Sequence, residues 1–117
     1  MESTAKDLAA TYFRAWQSRD FATLRSILHP DVDFVGPLAA IRGADTCLQG
    51  LEKLASITKE LIIEKVFVDG PDVLTWFQLH TTIAPPVPVA NWTHAENGKI
   101  TRIRVAFDAR GLAPPTR

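Results

Sequence analysis

The stretch Val89-Ala90-Asn91-Trp92-Thr93-His94-Ala95-Glu96-Asn97-Gly98-Lys99-Ile100-Thr101-Arg102-Ile103-Arg104-Val105-Ala106-Phe107-Asp108 reads as two strands joined by a tight turn. The turn is Asn97-Gly98, the strongest short hairpin signal, because Gly takes positive φ without steric cost and Asn tolerates it. Working upstream, residues 61–68 are rich in β-branched side chains and stop at the turn Asp69-Gly70-Pro71-Asp72. Residues 73–83 follow as a long strand. Pro85-Pro86-Val87-Pro88 lacks ladder donors at its prolines and predicts an extended connection or an edge. The second half of the chain is therefore expected to be a four-strand meander.

The first half follows a helical period. Ser3 or Thr4 is placed to cap a helix in which Leu8, Tyr12 and Trp16 recur on one stripe. Asp20 offers a second cap before Phe21, Leu24, Ile27 and Leu28, and Pro30 stops that helix, with His29 expected beside its last carbonyls. Val32 to Val35 is a short β-prone run closed by Gly36-Pro37. Arg42-Gly43-Ala44-Asp45 then leads into a third helix with Cys47, Leu51, Leu54 and Thr58 on one stripe, slightly weakened by Gly50. The tail from Gly111, with Pro114-Pro115, is expected to fray. Helices followed by an antiparallel meander make an α+β fold with the helices on one sheet face.

Composition excludes several function classes. The 117 residues suit a single domain, 1–117, and 46% hydrophobic with 22% charged residues is ordinary globular composition. Thirteen Lys+Arg balance thirteen Asp+Glu, so no excess positive potential draws nucleic acid or an anionic membrane. No basic-then-apolar leader is read at the N-terminus, which points to a cytoplasmic protein. The single cysteine, Cys47, has no partner for a disulfide or zinc site and reads as a small core hydrophobe. No phosphate loop, paired metal histidines or serine elbow is present, so no metal and no cofactor is expected.

Four segments in this order resemble the NTF2-like superfamily, and within it the SnoaL-like and ketosteroid-isomerase-like small proteins. They are the helix junction from Tyr12 to Asp20, His29-Pro30-Asp31-Val32-Asp33-Phe34, the helix start Arg42-Gly43-Ala44-Asp45, and the closing strand after Asn97-Gly98-Lys99. The resemblance covers roughly residues 4 to 110 and implies a cone of helices on a curved antiparallel sheet around one pocket. In ketosteroid isomerases an Asp base moves a proton while a Tyr and a second acidic residue, kept protonated at neutral pH, stabilise the dienolate oxygen. Tyr12 matches the family tyrosine. The base position falls on Gly36, which cannot take a proton, and the second donor position falls near Asn91, whose amide can still donate.

Alternation along the strands sorts the remaining candidates. With Asn91 inward, Val89 and Thr93 also face the pocket and His94 turns away. Val32, Phe34 and Gly36 face in and Asp33 out; Ile103, Val105 and Phe107 face in, while Arg102, Arg104 and Asp108 turn out. On residues 73–83, matching the family puts Leu74, Trp76, Gln78 and His80 inside. That leaves His80 as the one cavity group titrating near neutrality and the best candidate acid or base. The expected site is thus His80, Tyr12 and Asn91 for chemistry, with Trp16, Phe34, Trp76, Gln78, Ile103 and Val105 binding the ligand.

Neither the carboxylate of a SnoaL-type cyclase nor the Arg held between two Asp of an epoxide hydrolase relative is evident. The expected function is binding of a small, largely apolar, carbonyl-bearing molecule with proton-transfer chemistry such as isomerisation, cyclisation or dehydration. The alternative is a non-catalytic binding or dimeric interaction protein of the same fold. A homodimer is expected because Val73, Phe77 and Leu79 would otherwise be wet. Glu64, Lys65, Arg102 and Arg104 are expected to pair across strands on the exposed face.

Overall fold

The computed structural model describes residues 4–112. Ser3 and residues 113–117 of the expected frayed tail lie outside the described residues. Thr4 opens α1 (Ala5–Ser18) with a reciprocal cap, its hydroxyl accepting from the Asp7 amide while the Asp7 carboxylate accepts from the Thr4 amide. Leu8, Tyr12, Phe13, Ala15 and Trp16 are buried along this helix. It ends at Arg19, which takes the left-handed conformation at φ 58°. The Arg19 guanidinium reaches Ala55 O at 2.8 Å and Thr58 O at 3.4 Å, carbonyls at the far end of the third helix, where a cation is favoured.

Asp20 caps α2 (Phe21–Ile27) by accepting from the Thr23 amide. The chain becomes extended directly after it, and β1 (Leu28–Val35) starts upstream of the expected Val32. His29 therefore lies in a strand and not at a helix end; its Nδ1 accepts from the Asp31 amide at 2.9 Å. A three-residue strand too short to leave a sequence pattern, β2 (Ala40–Arg42), follows. Gly43, at φ 102°, a value an L side chain rarely adopts, starts α3 (Ala44–Ile57), which buries Ala44, Cys47, Leu48, Leu51 and Ala55. The strands β3 (Thr58–Asp69), β4 (Asp72–Thr81), β5 (Val87–Glu96) and β6 (Lys99–Phe107) complete the fold. Asn97 and Gly98 have φ of 52° and 76°, as the hairpin between β5 and β6 demands.

The sheet has six strands in the order β2-β1-β6-β5-β4-β3. It is mixed, where an antiparallel sheet was expected, because β1 joins the outer side of the meander running parallel to β6. Register breaks at Glu64 in β3 and at Thr101 in β6, opposite His94 and Ala95, mark bulges, which bend and twist a sheet. No helix among the described residues is long and apolar enough to cross a membrane.

The helices cover one sheet face, and burial identifies it. On β4 the inward residues are Val73, Thr75, Phe77, Leu79 and Thr81, which corrects the placement of Leu74, Trp76, Gln78 and His80 inside. The physical reason is aromatic packing: the Phe77 ring meets Phe13 at 5.1 Å and Trp16 at 6.2 Å, both edge-on. Register agrees, since Thr75 pairs with the inward Asn91 and directly opposed residues share a face. Outside, Trp76 is 39% exposed, Gln78 donates to Glu64 at 3.0 Å, and His80 stands opposite Glu60. Val73, Phe77 and Leu79 are core, so the apolar surface expected from them is supplied instead by Phe67, Leu74, Trp76 and Trp92.

This packing separates two neighbouring positions. Phe77→Ala should destabilise the fold by about 3–5 kcal/mol, the usual cost of emptying a buried aromatic site, whereas His80→Ala should change stability by about 0.5 kcal/mol or less. Urea unfolding of both variants checks the difference, and equal losses would place His80 in the core.

Candidate functional site

The cavity of the fold opens between α3, the β1–β2 corner and β6. It holds about 280 Å³. Phe34, Ile41, Leu51, Leu54, Val105 and Phe107 make most of its wall, and Leu112 closes one side. The wall is almost wholly apolar, and Cys47 and Lys53 are the titratable side chains on it.

Two glycines make room for this space. A Cβ built on Gly36 would sit 3.4 Å from the Phe34 ring and 3.6 Å from Val105 Cβ; one on Gly50 would sit 3.5 Å from Ile41 Cδ1. These are ordinary van der Waals distances, so side chains at either position would enter the cavity without backbone collision. In the middle of α3, Gly50 costs about 1 kcal/mol of helix propensity relative to Ala. The cavity is thus lined where side chains are missing.

Tyr12 and Asn91 stand behind one end of the cavity. Both are buried, at 1% and 2% exposure, and Asn91 stands beside the Tyr12 phenol. Burial holds the Tyr12 phenol well above its ordinary pKa, nearby Cys47 adds to the rise, and the adjacent Asn91 amide opposes it. Burial also pushes the Cys47 thiol up to about 11. Cys47 lines the cavity and stands near Tyr12, and Val105 lines it directly opposite Asn91 in the sheet register. Oδ1 of Asn91 has no hydrogen-bond partner.

The expected site residues separate into groups. Phe34 and Val105 line the cavity, while Tyr12 and Asn91 are not on its wall; they are buried neighbours of the lining residues Cys47 and Val105. Ile103 is core at 0% exposure. Trp16 packs on Phe13 and Phe77 and borders a separate void of about 30 Å³ with Arg19 and Glu60. Trp76, Gln78 and His80 are on the opposite face of the sheet. Asp33 also faces outward, as expected, but Arg104 pairs with it at 3.1 Å rather than with β3, and Arg42 is 4.0 Å from the same carboxylate. His94 faces out and bonds Asp72 at 2.7 Å, beside the Trp92 indole at the same distance.

Ile41, Cys47, Gly50 and Leu54 were not expected to form the site. Gly50 carried the available signal: a glycine one turn after Cys47 on an otherwise good helix marks a missing wall. Among the described residues, no cluster of three or more His, Cys, Asp or Glu is arranged to hold a metal.

The fold is shared with solved structures. An NTF2-like protein of Cytophaga hutchinsonii matches with a TM-score of 0.85 at 24% identity over 96% of each chain. A protein from Kribbella flavida matches with a TM-score of 0.85 at 28% identity, over 90% of this chain and 87% of that one. An LEH-like epoxide hydrolase of M. tuberculosis matches with a TM-score of 0.78 at 24% identity, over 92% and 85%. Among curated proteins none matches the chain. The SnoaL-like domain model matches residues 9–103, most of the chain, and this shows that the chain belongs to the SnoaL-like family.

Proposed function

We propose that the protein is a receptor for a small, largely apolar molecule held between α3, β1, β2 and β6, with Tyr12 and Asn91 buried behind the wall. The observation that carries this reading is the apolar cavity of about 280 Å³, close to the lower end of the range for ligand sites. Receptor fits better than acid–base enzyme. No histidine or carboxylate lines the cavity among the described residues, and His80 lies on the other face of the sheet. Proton transfer works best with a group whose pKa lies near the working pH. Cys47 and Tyr12 are both displaced upward from already high values and stay protonated at neutrality. A second copy of the chain is proposed to cover the outer patch of Phe67, Leu74, Trp76 and Trp92, each at least 39% exposed.

A neutral fluorescent probe such as phenylnaphthylamine should brighten on entering the cavity. Gly50→Leu should weaken its binding by about tenfold or more, because one buried aliphatic side chain in the cavity displaces comparable ligand surface. Gly50→Ala should raise stability by about 0.5–1 kcal/mol. Probe binding indifferent to Gly50→Leu would place the ligand elsewhere.

The raised pKa values set the alkaline behaviour. A group with its folded pKa above its unfolded value contributes stability that is complete below the unfolded pKa and lost as pH rises through the folded one. For Cys47 that window runs from 9.0 to about 11. Stability should therefore fall through this window, and Cys47→Ala should move the onset upward toward the range where Tyr12 ionises. Probe affinity should stay flat between about pH 6 and about pH 8, because no histidine or carboxylate lines the cavity among the described residues. A bell-shaped profile in that range would reveal an acid or base.

Sedimentation should show a species of twice the 12.9 kDa chain mass, which Trp92→Lys shifts to the monomer. Only monomer at high concentration would remove the dimer.

A further inference from the structure

Resting on the reading of the cavity as a ligand site, we infer that its ligand is an apolar carboxylic acid, whose body fills the cavity while its carboxylate stays at the mouth against the Lys53 ammonium. Burial gives the cavity a direction. Cys47 and Leu51, at 2% and 4% exposure, mark its floor, and the exposed lining residues Pro37, Leu38, Ala39 and Lys53 mark its mouth. Lys53 stands on α3 one turn after Gly50 and one turn before Ile57, and both of these also line the cavity. A lysine lays its methylene stem along apolar surface and keeps its charged head in water. The side chain missing at Gly50 leaves the space beside that stem open.

The ammonium has no counter-charge of its own. An ion pair along α3 would need an acidic residue three or four positions away, and those positions hold Gln49, Gly50, Ser56 and Ile57. Among the described residues no carboxylate pairs with Lys53. Nor does Lys53 serve the helix end, where a cation is favoured within the last turn. No basic residue lies in the last turn of α3, and the carbonyls of Ala55 and Thr58 at that end are taken by Arg19. The cavity wall thus carries one cation at its mouth and no carboxylate among the described residues.

Chemistry then selects the head group. A charge carried to the floor would be stranded among apolar side chains, so an ionic group of the ligand has to remain at the mouth. A carboxylate there meets the ammonium in a charge-assisted hydrogen bond, roughly twice as strong as the neutral one that an amide or alcohol would make. A ligand ammonium would be repelled. A phosphate monoester brings about two negative charges to a single cation and leaves one unmatched.

The test competes naphthylacetate, naphthylacetamide and naphthyl phosphate against phenylnaphthylamine on the whole protein. At low ionic strength naphthylacetate should bind about two- to fivefold tighter than its amide, the range of a solvent-exposed ion pair. Lys53→Gln should bring that ratio to about one, and Lys53→Glu should invert it. Salt at about 1 M should shrink the ratio in the unmodified protein, because exposed charges are then screened. Gly50→Leu should weaken the acid and the amide alike, since both bodies use the cavity. Equal binding of acid and amide in the unmodified protein would overturn the inference, as would a preference that survives Lys53→Gln, or naphthyl phosphate binding tightest. In each of those cases phenylnaphthylamine binding that Gly50→Leu weakens would leave the cavity reading standing. Failure of every probe, phenylnaphthylamine included, removes both.

Discussion

The edge-on contact of Phe77 with Phe13 and Trp16 decides which side of the sheet is interior. A strand exposes alternate side chains to opposite faces, so burying Phe77 also buries Val73, Thr75 and Leu79 and turns Trp76, Gln78 and His80 outward. Pairing transmits the choice along the sheet. Thr75 opposite Asn91, and Asn91 opposite Val105, put an amide and part of the cavity wall on the same face as the aromatic cluster. Tyr12, one residue before Phe13 and edge-on to its ring at 5.0 Å, is carried to that amide by the same helix.

Space in this fold comes from missing side chains, and its chemistry from the scarcity of charge. Gly36 and Gly50 leave the corner between β1 and α3 open, while Phe34, Ile41 and Val105 keep it apolar. Burial of Cys47 and Tyr12 disfavours their anions, so both remain neutral hydrogen-bonding groups. The charged clusters lie on the outer face instead: Asp72 with His94 and Trp92, and Asp33 with Arg104. A site of this composition suits an apolar occupant more than a charged one.

Much of the fold was legible because short-range rules decided it. Thr4 and Asp20 cap helices as their hydroxyl and carboxylate allow, and Asn97-Gly98 turns as positive φ requires. The face of β1, β5 and β6 followed from alternation once Asn91 was taken as inward. β4 did not, because its inward face was assigned by likeness to other proteins while its own pattern said otherwise: Val73, Thr75, Phe77 and Leu79 are the more uniformly apolar and β-prone set, and Gln78 and His80 sit on the other. β2 and the parallel pairing of β1 with β6 depend on contacts distant in sequence and left no local trace. The cavity wall was legible at Phe34, Val105 and Phe107, which alternation turns inward, and illegible at Ile41 and Leu54, whose role depends on how α3 lies across the sheet.

The face of β4 can be measured directly by side-chain NOEs in solution, which report the ring neighbours whatever the oligomeric state. Inward packing of Phe77 requires NOEs from its ring to those of Phe13 and Trp16, at centroid separations of 5.1 and 6.2 Å, and none from the Trp76 indole to either ring. NOEs from Trp76 to Tyr12 or Phe13, with Phe77 free of both helix rings, would turn the strand over, return His80 to the interior and contradict the placement of the site.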